Sequence, residues 1–193
     1  MDLAVLRRKQ IVLASGSPRR KVLLKSLGLR FKICVPKIRE QFSEKFRKKE
    51  LVKTALAKVD AVPFAPEQII IACDTIVVCR RKVLGKPRDP RQARVFLQML
   101  SGRKHIVYSC LALKYQKRGK IFRKTRVVAT NVYFRKISAA EIAAYIKTPT
   151  PYDKAGGYGI QETQGLFVQK IRGCYYNVVG LPVTDLIDML GQI

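Results

Sequence analysis

The chain has 193 residues, 48% hydrophobic and 27% charged, enough to bury a sizeable core in one domain spanning 1–193. Its 39 Lys and Arg against 13 Asp and Glu leave a formal charge of +26, which attracts nucleic acid, anionic surfaces or a polyanionic substrate through the field. Low-complexity and repeat architectures are excluded, because Pro and Gly occur singly at turn-like positions and no segment recurs.

In chain order, "IVLAS" (11–15) reads as a short buried strand. "SPRRKVLLKSLG" follows as a helix with Ser17 as N-cap, Pro18 at the first helical position and Gly28 just beyond the end. "FKICV" is a second strand, and apolar residues at 51, 52, 55, 56, 59 and 62 predict an amphipathic helix from about Glu44 to Val62. Residues 69–79, "IIIACDTIVVC", make a buried strand, and "PRQARVFLQMLSG" a helix closed by Gly102. "HIVYSCLALKYQ" and "IFRKTRVVATNVYF" are two long strands joined at "KRGK". "SAAEIAAYIK" is a helix capped by Ser138, with Glu141 at the capping-box position. The alternation, with its long hairpin, predicts an α/β fold with a mixed sheet.

The longest apolar run is the strand at 69–79, too short for a bilayer and charged in its middle, so no membrane span is expected. "MDLAVLRRKQ" places its basic cluster after a brief apolar piece, the reverse of a secretory signal, and a cytoplasmic protein is expected. Cys34, Cys73, Cys79, Cys110 and Cys174 are odd in number, scattered, without a CxxC pair, and His105 is the single histidine. Reduced core thiols are the expectation; a Cys/His nucleophilic pair stays open, because such residues meet in space. The basic clusters, among them "RRK" at 7–9, 19–21 and 80–82, run the length of the chain and describe a charged surface, not a basic tail.

Asp74 is the anomaly of the apolar run. An ionised carboxylate buried there is costly unless paired or bound to a cation. Two readings are open: the strand ends near Cys73 and Asp74 and Thr75 turn a corner, or Asp74 holds a divalent metal or activates a water. Three stretches bear on the choice. "LASGSPRRKVLL" brings hydroxyls, helix N–H groups and two arginines to one point, an anion cradle. "LGKPRD" sets Lys86 in a rigid turn, and "DKAGGYGIQ" is a Gly-rich stretch whose backbone either approaches a ligand closely or forms a plain flexible loop.

Together with "ACDTIVV", "LGKPRDPRQARVFLQMLSGRKHIVYS", "VYFRKISAAEIAAYI" and "GCYYNVVGLPVTDL", these blocks resemble the Maf family of nucleoside triphosphate pyrophosphatases, over almost the full length and in order. The resemblance implies cleavage of a nucleoside triphosphate between its α and β phosphates, with a divalent cation such as Mg2+ or Mn2+. It also implies an elongated α/β fold, a mixed sheet flanked by helices as in the inosine triphosphatases, and a homodimer. Carried over by position, Ser15, Arg19 and Arg20 would grip phosphates, Asp74 and Thr75 are the central "DT", Lys86 is the "KP" lysine, and Gln161 stands near the base. Glu40 and Lys58 match an acidic residue after the second strand and a lysine closing the second helix. Asp74 and Glu40 are the implied metal ligands, and both join Lys58 and Lys86 as catalytic candidates. The "GGYGIQ" form is similar to the subgroup acting on dTTP and UTP. "YSC" stands where a Thr-Gly is common and "IQE" where "IQG" is usual.

The residue chemistry is consistent with that assignment. A triphosphate with its metal needs carboxylates for the ion, here Asp74 and Glu40, and cations for phosphoryl oxygens, here Arg20, Lys58 and Lys86. His105 is expected to be structural. A second class, a nucleic-acid-binding or cell-division regulatory protein that works through its charge, lacks any helix-turn-helix, aromatic RNP or zinc-finger signature.

Overall fold

The structure, a computed structural model, describes residues 9–163 and 166–193. The basic pair Arg7 and Arg8 and the rest of the opening "MDLAVLRR" lie outside the described residues. A seven-stranded mixed sheet runs in the order β2-β1-β3-β5-β6-β7, with β4 added beside β3. Its strands are β1 (Gln10–Leu13), β2 (Phe31–Ile33), β3 (Gln68–Cys79), β4 (Lys82–Leu84), β5 (Lys104–Lys117), β6 (Lys120–Phe134) and β7 (Val168–Arg172). β1 pairs parallel with β2 and β3, and every other pairing is antiparallel. The helices are α1 (Pro18–Ser26), α2 (Lys48–Asp60), α3 (Pro90–Leu100), α4 (Ala139–Tyr145), α5 (Tyr175–Val179) and α6 (Val183–Leu190).

Side chains alternate across each strand, so the sheet carries a core on each face. On one face Leu51, Ala55 and Val59 of α2 pack over Ile70, Ala72, Ile76, Cys110 and Ala112. On the other, α1 and α6 cover Ile69, Ile71 and Leu111, while α3 and α4 cover Val77, Val107 and Val132. Burying each such Leu, Ile or Val contributes about 1.5–3 kcal/mol.

Side-chain caps fix the starts of two helices. Asp89 accepts from Gln92 N at 2.8 Å and caps α3, and Ser138 and Glu141 form the expected capping box. Ser17 occupies the N-cap of α1 but its hydroxyl makes no capping bond; its N–H instead donates to Ser15 Oγ at 3.2 Å.

Several boundaries shift: the first strand ends at Leu13 rather than Ser15, and the second helix ends at Asp60 rather than Val62. The second helix begins at Lys48 rather than near Glu44, because Glu44 to Phe46 pair with β4: Val83 N donates to Glu44 O at 2.8 Å and Phe46 N to Arg81 O at 3.0 Å. The second strand ends at Ile33 instead of Val35; Cys34 N still reaches Leu13 O at 3.1 Å, and Pro36 offers no N–H to continue.

Asp74 does not turn a corner. β3 runs unbroken through it, and the residue is 3% exposed. The strand's edge, however, is split. β1 pairs with it only as far as Ile71, and β4 takes up the same edge from Val77. Residues 72–76 therefore have β5 on one side and an opening on the other. That gap is where the cleft forms.

Candidate active site

A cleft of about 620 Å3 opens at the split edge, lined from Ser15–Arg20, Glu40, Lys58, Asp74–Val77, Gly85–Lys86, Asp153–Ala155 and Tyr158–Glu162. Because consecutive β3 side chains point to opposite faces, Asp74 approaches from the α2 side and Thr75 from the α1 side.

Asp74 is partnered by Lys58 in the last turn of α2. Lys58 Nζ donates to Asp74 Oδ1 at 2.6 Å and lies 2.7 Å from Glu40 Oε1, so one buried ammonium bridges two carboxylates. Asp74 Oδ2 is buried without a hydrogen-bond partner. The two carboxyls are pushed apart. Burial raises Asp74 above the usual carboxylate range despite Lys58. Burial also acts to raise Glu40, but Lys58, by charge and hydrogen bond, together with Lys86 and Arg20, outweighs it and holds Glu40 low. Burial therefore favours the protonated form of Asp74, while the surrounding cations keep Glu40 an anion.

Across the strand, Arg20 is an organiser. Its Nε donates to Gly180 O at 2.9 Å, Nη1 to Ser15 Oγ at 3.0 Å and Nη2 to Thr75 Oγ1 at 3.2 Å. Thr75 Oγ1 shares a 2.8 Å hydrogen bond with Ser109 Oγ. The guanidinium thus ties the loop before α1 to β3 and to the α5–α6 junction. Ser109, the middle residue of "YSC", fills its departure from the usual pattern with a hydroxyl that braces Thr75. Arg19 lines the same cleft, where its Nη1 donates to Asp153 Oδ2 at 2.8 Å.

The Gly-rich stretch is packed, not a loose loop. Gly156, at φ 74°, donates its N–H to Gly85 O at 3.0 Å and sits so close to Val77 that a Cβ would meet Val77 Cγ2 at 3.0 Å. This seats Lys86, which is exposed, on the cleft wall. Lys154 is buried and bridges Asp153 and Glu162, with its Nζ 3.1 Å from Glu162 Oε1. Gln161 lies exposed in the following turn and lines the cleft rim.

All nine residues marked in the sequence, Ser15, Arg19, Arg20, Glu40, Lys58, Asp74, Thr75, Lys86 and Gln161, therefore line one cleft. Asp153, Lys154, Ser109 and Gly180 were not singled out. "DKAGGYGIQ" was noticed for its glycines, while its charged pair Asp153–Lys154 carried the available signal. His105 is a core residue: Nε2 bonds Tyr158 Oη at 2.7 Å, and burial depresses it to about 3. The five cysteines are free thiols, three of them buried, and the partner of His105 is a tyrosine.

Comparison with known proteins agrees with this geometry. Residues 10–193 match the family model described as Maf-like protein. The chain is 47% identical over 182 residues to a dTTP/UTP pyrophosphatase of Carboxydothermus hydrogenoformans, covering 92% of this chain and 95% of that one. It is 43% identical over 185 residues to a dTTP/UTP pyrophosphatase of Desulfotalea psychrophila, covering 94% and 93%. Among solved structures, a HAM1 protein from Coxiella burnetii superposes with a TM-score of 0.52 over 96% of this chain and 100% of that one, at 15% identity, a likeness of fold alone. A match over nearly the whole chain, with the nine marked residues gathered in one cleft, places this protein in the Maf family.

Proposed function

We propose that the chain is a single-domain nucleoside triphosphate pyrophosphatase that cleaves dTTP and UTP to the monophosphate and pyrophosphate. The observation that carries the reading is Asp74: a buried carboxylate with one oxygen held by Lys58 and the other unpartnered, at the gap along the edge of β3, in a cleft that Arg19, Arg20 and Lys86 also line. The names of the relatives supply the substrates, and Gln161 at the rim supplies an amide able to donate and accept along the O4/N3 edge of a pyrimidine.

The donor set fits a divalent cation. Asp74 Oδ2 is a buried oxygen awaiting a partner, Glu40 is kept ionised beside it, and among the described residues no third His, Cys, Asp or Glu completes a closed site. Mg2+ typically takes one or two carboxylates and draws its other ligands from water and phosphate. Glu40 and Asp74 would hold Mg2+ or Mn2+, which when bound supplies charge neutralisation to the phosphates.

The chain's own residues do the rest. Asp74, with Oδ1 held by Lys58, uses Oδ2 to orient the attacking water beside the cation. Lys58 fixes the position of that carboxylate. Lys86, Arg19 and the hydroxyl of Ser15 meet the phosphate oxygens, where charge accumulates in the transition state. Arg20 and Thr75 hold the cradle in shape. The test is release of pyrophosphate by purified protein with Mg2+ across a nucleotide panel, with dTTP and UTP expected ahead of ATP and GTP.

A further inference from the structure

Among the described residues, the sheet face under α2 is covered by helix only at one end. Beyond Cys110, strand alternation places Tyr108, Ile106 and Lys104 of β5, Ala129, Asn131 and Tyr133 of β6, and Lys170 and Arg172 of β7 on that same face. Lys104, Lys170 and Arg172 are exposed, and Tyr108 and Tyr133 half-buried. A depression of about 310 Å3 lies there, lined by Phe46, Tyr108, Ile106, Arg80, Arg81 and Lys104 among others, with no acidic residue. Phe46 stacks on Tyr108 with ring centroids 4.3 Å apart, and the Arg172 guanidinium sits 5.9 Å from the ring centre of Tyr133.

The hairpin at its rim is built against local preference. Cys79 pairs with Lys82, so Arg80 and Arg81 form a two-residue turn with φ of 49° and 67°. Asn-Gly suits such a turn; a long side chain at both positions carries strain. The strained pair sets two guanidinium groups beside the depression. Glu44, the acid at this hairpin, is paired with Lys82 at 2.7 Å.

We propose that this open end of the sheet binds single-stranded nucleic acid, with bases stacking against the Phe46–Tyr108 pair and Tyr133, and phosphates meeting Arg80, Arg81, Lys104, Lys170 and Arg172. Aromatic platforms among cations on a sheet surface suit that ligand, because every base has a stacking face and every linkage a charge. A second copy of the chain is the other occupant such a face could take, and its basic surface, like the net charge of +26, opposes that. The pattern is absent from the sequence as a motif, because it is assembled across β3–β7 and the segment before α2.

The test is fluorescence anisotropy with a labelled single-stranded oligo(dA), which carries neither a triphosphate nor a pyrimidine. Arg80→Asn with Arg81→Gly restores the preferred turn and so keeps the fold. It should weaken binding and lower the slope of log K against log salt by about 1.4, roughly 0.7 for each of two phosphate contacts. Tyr133→Ala should weaken binding roughly tenfold, the scale of one lost base stack, while Tyr133→Phe retains it. Hydrolysis of dTTP should be unchanged in all three variants. The proposal is overturned if Lys117→Gln with Lys120→Gln at the far hairpin weakens binding as much, which would make the field diffuse. It is equally overturned if duplex DNA binds as tightly, or if the face proves to close a dimer that Tyr133→Ala disperses.

Discussion

Lys58 Nζ stands 2.6 Å from Asp74 Oδ1, a buried pair that joins the last turn of α2 to the middle of β3. Removing one partner of such a pair strands a buried charge, at a cost of about 3–5 kcal/mol. Lys58→Met should therefore destabilise the protein by that amount in denaturant unfolding. Asp74→Asn, which removes the charge and keeps the shape, should cost less. Adding Asp74→Asn to Lys58→Met should recover part of the loss, and additive effects in this cycle would show that the two residues are not coupled.

Lys86 and Lys117 are both exposed lysines, yet only Lys86 lies on the cleft wall. Lys86→Ala should lower kcat/KM by about 2–4 kcal/mol of transition-state binding, the scale of one positioned donor, without a change in melting temperature. Lys117→Ala should leave both unchanged. Equal losses in the two variants would transfer the effect from a site to the overall field.

Arg20 should behave differently from Lys86. Its guanidinium spans Gly180 O, Ser15 Oγ and Thr75 Oγ1, three acceptors in a fork that an ammonium cannot reproduce. Arg20→Lys should lower both activity and stability, the latter by about 1–3 kcal/mol as buried acceptors lose their donor. Full stability in Arg20→Lys would reduce Arg20 to a phosphate contact.

Much of this was legible in the sequence, and the exceptions have physical causes. The helices bounded by Pro18, Asp89 and Ser138 announce themselves through caps and prolines, since those signals are local. β4 is three residues long and β7 follows no clean alternation, exposing Gln169 and Lys170 in succession, so neither offers a period. The start of α2 was misplaced because Glu44 to Phe46 are held by β4, a tertiary contact invisible to helical spacing. Asp74, Lys86 and Arg20 were found through motifs, whereas Ser109 and Gly180 join the site only where β5 and the α5–α6 junction meet Thr75 and Arg20.

His105 predicts an acid sensitivity. Burial holds its folded-state value at about 3, against about 6.5 for an unfolded histidine. The unfolded chain thus binds the proton first, so stability present above pH 6.5 is lost as pH falls from there toward 3, by up to about 1.4 kcal/mol per unit. His105→Leu should be less stable at pH 7, because Tyr158 loses its partner, and should lose less than wild type between pH 7 and pH 5 in thermal unfolding. Parallel curves for the two proteins would remove His105 as the cause.

Gln161→Ala should narrow the preference for dTTP and UTP over ATP by several-fold, since one hydrogen bond to a neutral base contributes about 0.5–1.5 kcal/mol, while turnover persists. An unchanged substrate ranking would mean that the amide does not read the base.

The most direct test of the central claim is separation of the products of dTTP hydrolysis with Mg2+ by 31P NMR, for wild type and for Asp74→Asn. The account predicts dTMP and pyrophosphate from wild type, and a folded Asp74→Asn protein slower by on the order of a hundredfold or more. Release of dTDP and orthophosphate, or near-normal turnover by Asp74→Asn, would contradict it.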